Sequence, residues 1–254
     1  MAIVAPHPDD ETVGAGGVAA LHCGAGDDVT IIVVSDGGAS RAGGLSADEM
    51  AARRHEEVRA AASALRVQRL AWLGLPENRW ATADARAPLG RLLSGVDVIY
   101  APSCVDYHPE HLKTAHLLAG LLSPGQMVRV MEIGVPLTPV LANVLADISE
   151  AEGQKREALS RFVSQRQTLD ALARLARYRS ALFGIEHVEV FWELTAEAYG
   201  RVMAFGSWER GESPFRGIRS RPFGDWIAFA AGWHMRGRLR TIAGAGGREL
   251  PPTG

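Results

Sequence analysis

Residues 7–11 read His-Pro-Asp-Asp-Glu, and residues 108–111 read His-Pro-Glu-His. Imidazoles and carboxylates are the side chains that hold divalent metals and move protons near neutral pH. Two histidines and one carboxylate on one ion leave a coordination position open for water, which is the pattern of a catalytic rather than a closed structural site. Pro8 fixes the backbone after His7. Pro109 keeps His108 out of the α region and suits the first turn of a following helix, so His108 and His111 hold a defined relative geometry. Taken singly, each histidine reads as structural or surface. The two clusters together carry the metal reading.

Residues a hundred positions apart need a scaffold to meet. Ala2–Ala5 is a short apolar stretch that reads as a strand, and Val29–Val34 is a continuous β-branched run, the mark of a strand buried on both faces. Leu70–Leu73, Val96–Ala101 and Val128–Ile133 are further strand candidates. Gly14–Gly24 has a small-residue helical pattern. Ser46–Leu65 is a helix opened by a capping box of Ser46 and Glu49, and Ser149 with Glu152 open another by the same logic, running through Leu159, Phe162 and Leu172. Alternating strands and helices predict an α/β fold, a Rossmann-like, doubly wound and mostly parallel sheet flanked by helices. In such sheets ligands bind beyond the carboxyl ends of the strands. Both motifs, Asp36 and the segment Gly74–Glu77 all follow strands, so all fall on that edge.

PHPDDE at 6–11 with HPEH at 108–111 resembles the LmbE/PIG-L-type zinc-dependent N-deacetylases, which share an HPDDE and an HPDH-like motif on a Rossmann-like sheet. Arg54-x-x-Glu57, LGLPE at 73–77 and AEAYG at 196–200 add weaker similarity, and the resemblance covers roughly residues 1–200. It implies zinc, or another divalent transition metal, on His7, Asp10 and His111, with Asp9 as general base and a protonated His108 near the developing oxyanion. It implies hydrolysis of the N-acetyl group of an N-acetylglucosamine-type amino sugar or glycosylated natural product. Asp36 and Arg54 are expected to line the substrate pocket. The sequence departs from the family at Glu110, where Asp is usual, and at Pro6, where Ala is commoner.

Other features bound the reading. A net charge of −2 gives no global attraction to nucleic acid or membrane, and no run reaches the length of a membrane span. Two cysteines, Cys23 and Cys104, read as buried thiols, since neither a disulfide framework nor a CxxC zinc site can be built from them. No signal-type segment is visible, so a cytoplasmic location is expected. His22, His55, His116 and His187 read as structural. The Gly14-x-Gly16-x-x-Ala19 pattern with Asp36 mimics a dinucleotide fingerprint and makes an NAD(P)-binding oxidoreductase the alternative, although His7–Val13 intervene between strand and glycines. Residues 201–254 hold nine Arg against three Glu and one Asp, with aromatics interleaved. They read as an aromatic- and Arg-rich C-terminal extension to a 1–200 deacetylase domain, and an assembly of identical copies is left open. Trp208, Phe215, Phe223, Trp226 and Trp233 are expected to favour sugar rings or apolar aglycones. The Trp226, Phe229 and Trp233 spacing suits one helical face and core packing.

Overall fold

Strands form where the sequence runs apolar. β1 (Ala2–Ala5), β2 (Thr30–Ser35), β3 (Arg69–Leu75), β4 (Val98–Ala101) and β5 (Met127–Met131) coincide with the five runs read above. The computed structural model describes residues 1–40, 42–103, 105–106, 108–137, 140–205 and 236–244. Cys104 and the aromatic residues named between 208 and 233 lie outside them. Two further strands, β6 (Val144–Asp147) and β7 (Val188–Thr195), complete a seven-stranded sheet in the order β3-β2-β1-β4-β5-β7-β6. β1 to β5 pair in parallel, whereas β7 runs antiparallel to both β5 and β6. The expectation of a mostly parallel doubly wound sheet is met. The antiparallel edge is new, because Glu189 and Glu193 interrupt the apolar run of β7 and hide it.

The period-two alternation of strand side chains builds two cores. Ala2, Val4, Ile32 and Val34 face one side, where α3 (Thr82–Leu93), α4 (Pro109–Ala119) and α7 (Ala196–Ala204) pack. Ile3, Ala5, Ile31 and Val33 face the other, beneath α1 (Asp10–Gly24), α2 (Ala47–Ala64) and α5 (Glu152–Ser160). α6 (Arg166–Phe183) follows on that side and adds Leu169 and Leu172 to it. A helix over 236–244 buries Leu239 in the first core. α7 crosses residue 200, so a boundary drawn there falls inside a helix.

The helix starts test the capping arguments one by one. Ser46 caps α2 as expected: its Oγ accepts from Glu49 N at 3.3 Å, and Ser46 N donates to Glu49 Oε2 at 2.9 Å. Ser149 does not cap a helix. Its N–H and hydroxyl both go to Asp147 Oδ1 at 3.0 and 2.6 Å, so a nearer carboxylate wins, and α5 begins only after a short 3₁₀ turn. Nor does one helix run on through Leu172, since the chain turns at 161–165 before α6.

The glycines of the dinucleotide-like pattern lie inside α1, where they allow close packing. A Cβ on Gly14 would stand 2.9 Å from Met131 Sδ, one on Gly16 3.3 Å from Thr12 Cγ2, and one on the neighbouring Gly17 2.6 Å from Ile148 Cδ1. They bring the helix against the sheet and form no phosphate-binding turn.

Candidate metal centre

The strand order reverses between β1 and β4, which pair directly through Ala2 with Ile99 and Ile3 with Tyr100. That reversal is where an open α/β sheet leaves a crevice at its carboxyl edge. The loops leaving these two strands carry His7–Glu11 and His108–His111. Topology thus closes the gap of a hundred residues.

Three ligand-type atoms form a near-equilateral triangle there. His7 Nδ1 lies 3.1 Å from Asp10 Oδ2 and 3.2 Å from His111 Nε2, and His111 Nε2 lies 3.1 Å from Asp10 Oδ2. Tetrahedral bonds of about 2.0–2.1 Å to one ion put ligand atoms ~3.3 Å apart, so the triangle fits a single divalent metal. Two facing ring nitrogens at this distance can share at most one proton, which makes a cation the natural occupant. Among the described residues, His108 also offers a nitrogen within 4.8 Å of those of His7 and His111, and His7 forms a second such group with Glu77 and Glu110. The tighter triangle is the better ligand set, because the other nitrogen of His7 is already engaged.

That engagement fixes the rings. His7 Nε2 meets Glu110 Oε2 at 3.1 Å, and Glu110 Oε1 accepts from Asn78 N at 2.8 Å. His111 Nδ1 meets Asp106 Oδ2 at 2.8 Å, and Asp106 Oδ1 accepts from His108 N at 2.9 Å. Each histidine therefore turns one nitrogen to a carboxylate and the other to the triangle, the usual support of metal-bound imidazole. Glu110 fills the orienting role despite its extra methylene. Asp106 was missed in the sequence, although its place five residues before His111 in a post-strand loop was the available signal.

Electrostatics point the same way. Burial pulls His7 down, but its hydrogen bonds to Asp10 and Glu110 prevail and push it up to about 9. Burial is likewise outweighed at His111 by Asp10 and Asp106, which hold it well above the usual imidazole range. Asp10 is buried too, and His111 and His7 hold it well below the carboxylate range. The cluster has a surplus of carboxylate and demands positive charge, which a metal supplies in place of protons.

Asp9 stands beside the triangle in an unusual backbone state, with φ 130°. Such a conformation costs about 1–3 kcal/mol and persists only where neighbours over-determine it. Here they do. Asp9 N donates to Glu11 Oε2 at 3.0 Å, Asp9 Oδ2 pairs with Arg54 Nη2 at 3.0 Å, and Arg54 Nη2 also donates to Pro8 O. Burial pushes Asp9 up to about 6, against the pull of Arg54. Gly37, with φ 69°, makes room for that arginine, since a Cβ there would lie 2.7 Å from Arg54 Cδ.

A cavity of about 320 Å³ opens over these groups, lined by His7, Asp9, Asp10, Arg54, His108 and His111 together with apolar and polar walls. Val13, Ile133 and Leu172 supply the apolar wall; Ser40, Asn78 and Gln165 supply the polar one. Arg54 borders the cavity but spends its guanidinium on Asp9 and Pro8. Asp36 is not among the lining residues: its Oδ1 accepts from Gly38 N and Glu77 N at 2.9 and 3.0 Å, tying two loops together. His108 caps α4, its Nδ1 accepting from Glu110 N at 3.3 Å. Burial, reinforced by His111 and His7, pushes it down to about 4, so the ring is neutral and leaves Nε2 as an N–H donor. Burial and the neighbouring rings thus disfavour the protonated His108 that the resemblance implies. His22 pairs with Asp27, His55 stacks on Trp72, and neither they nor His116 and His187 line the cavity. Cys23 is a free, half-buried thiol.

The α/β sheet thus places a His/Asp/His triangle at its switch point. Residues 2–121 match the family model described as PIG-L, GlcNAc-PI de-N-acetylase, and this stretch contains both motifs. The match bears out, over residues 2–121, the resemblance read from the motifs. No curated protein matches the chain in sequence. Among solved structures, N,N'-diacetylchitobiose deacetylase from Pyrococcus horikoshii is similar at a TM-score of 0.68 and 21% identity, over 78% of this chain and 84% of that one. The conserved protein TT1542 from Thermus thermophilus aligns at 0.62 and 25% identity, over 75% and 92%. GalB, the 4-carboxy-2-hydroxymuconate hydratase from Pseudomonas putida, aligns at 0.65 and 20%, over 76% and 94%. No described helix is long and apolar enough to cross a membrane.

Proposed function

We propose that this protein is a zinc-dependent N-deacetylase that removes the acetyl group from an N-acetylglucosamine-type sugar or glycoconjugate. The observation that carries this reading is the triangle of His7, Asp10 and His111 with the strained, buried Asp9 beside it. His7, Asp10 and His111 would hold the ion, and zinc once bound would supply Lewis acidity toward the acyl oxygen and bring the pKa of a water down to about 7. Asp9, as the carboxylate, accepts the proton of the attacking water. Arg54 keeps that carboxylate turned to the cavity, which makes it a positioning residue for Asp9. Neutral His108 donates from Nε2 to the oxygen on which negative charge develops. The proton held by Asp9 is then available to the departing amine.

The PIG-L match and the chitobiose deacetylase fold support amide hydrolysis on an amino sugar. GalB carries the same fold with a hydratase activity, so the fold alone does not select the reaction. The match over 2–121 favours hydrolysis, because it spans both motifs. We assign residues 201–254 to substrate choice, on their aromatic and arginine content. Acetate release by zinc-loaded protein from a panel of N-acetylglucosaminides tests the reading. Absence of release from all of them, with zinc bound, would overturn it.

A further inference from the structure

α1 is broken next to the metal centre, and the break is filled by a buried ion pair. Ala15 has φ −146° and ψ 17°, outside the helical region. In an unbroken helix Gly17 N would bond to Val13 O and Val18 N to Gly14 O. Instead Gly17 N and Val18 N donate to Glu189 Oε1 and Oε2 at 2.8 and 2.9 Å. Lys155 Nζ donates to Val13 O at 2.9 Å and to Glu189 Oε1 at 2.5 Å. The two ends of the missing 17→13 bond are thus taken by the two members of one ion pair. Glu189 comes from β7 and is fully buried, and Lys155 comes from α5 and is 7% exposed.

A buried ion pair is a poor route to stability, because desolvation offsets most of its attraction. Its position gives it another use. Side chains inserted into the i→i−4 ladder are a cause of helix kinks. This one separates the turn bearing Asp10, Glu11 and Val13 from the rest of α1. Asp10 is a vertex of the triangle, Glu11 holds the backbone of Asp9, and Val13 lines the cavity. The direction of that first turn decides where these three groups stand.

We infer that Lys155 and Glu189 form a clamp that sets the angle of the first turn of α1 and so places Asp10 in the metal triangle. They are positioning residues, and the inference rests on the zinc site proposed above for its functional consequence.

Lys155→Met removes the hold on Val13 O, and Glu189→Gln keeps shape while weakening the hold on Gly17 and Val18. Hydrogen exchange of the full chain without metal reads the clamp itself. Faster exchange confined to residues 9–18 in either variant is expected. Unchanged exchange there, or an increase spread evenly over the sheet, overturns the inference. Zinc titration of the folded variants reads the consequence: affinity is expected to fall about 10- to 100-fold, the usual loss when support of a metal ligand is removed. kcat at saturating zinc should recover to within severalfold of the parent. Parent-like zinc affinity in both variants also overturns the inference. Should Lys155→Met fail to fold, Glu189→Gln carries both measurements. A parent protein that binds zinc but releases no acetate sinks the deacetylase reading and leaves the clamp standing. One that binds no zinc sinks the metal site, and hydrogen exchange still decides the clamp.

Discussion

Adjacent residues Asp9 and Asp10 do different work, and their surroundings say why. Asp10 lies between two imidazoles that hold it ionised, whereas Asp9 faces one guanidinium and is pushed up to about 6 by burial. Asp9→Asn preserves size but cannot take a proton. It should keep zinc while kcat falls by roughly 10²–10⁴, the usual worth of a general base, as read by steady-state kinetics beside metal analysis. Asp9 acts as the carboxylate, so activity should decline as pH falls through its pKa. A cation at the triangle favours the ionised form, so the acid limb should lie at or below about pH 6, and Asp9→Asn should lack it. Arg54→Met separates two roles for that arginine. With its guanidinium on Asp9 and Pro8, the variant should lose kcat with KM little changed. A raised KM at unchanged kcat would instead make Arg54 a substrate contact.

At the scale of elements, α2 stands on its cap and delivers Arg54 to the site. Ser46→Ala removes one half of the capping box and should destabilise the fold by about 1 kcal/mol, seen as a lower denaturant midpoint at constant m-value. α1 depends on the absence of side chains where it meets Met131 and Ile148. Gly17→Ala puts a methyl 2.6–2.7 Å from Ile148 atoms and should cost about 1–3 kcal/mol by the same measurement. An unshifted midpoint would show that Ile148 yields without strain. Both helices show how local rules place a helix while contacts with distant strands set its direction.

For the whole molecule, an ion bound only by the native chain adds stability by mass action. At a hundredfold excess over Kd that is about 2.7 kcal/mol, or roughly 5–10 °C in Tm for a chain of this size. Chelation should abolish activity and lower Tm by that amount, and zinc should restore both. An unchanged Tm would place the ion outside the His7, Asp10 and His111 set, since those ligands come from both sides of the sheet's switch point.

Sequence alone determined much of this protein. The five parallel strands, the cap of α2, the carboxyl-edge placement of both motifs and the candidate ligands His7, Asp10 and His111 were all legible, because apolar period, capping chemistry and metal-ligand types are local properties. β7 was not legible, since Glu189 and Glu193 break the pattern, and burial of Glu189 depends on Lys155 from another element. Asp36 had the right residue type in the right loop, yet its hydrogen bonds to Gly38 and Glu77 give it structural work. The place of Asp106, the burial that pushes His108 down and the arginine grip on Asp9 were decided by tertiary structure. A proton's preference or a carboxylate's partner is set by which groups lie within a few ångströms after burial, and that distance is fixed only when the sheet brings the loops of β1 and β4 together.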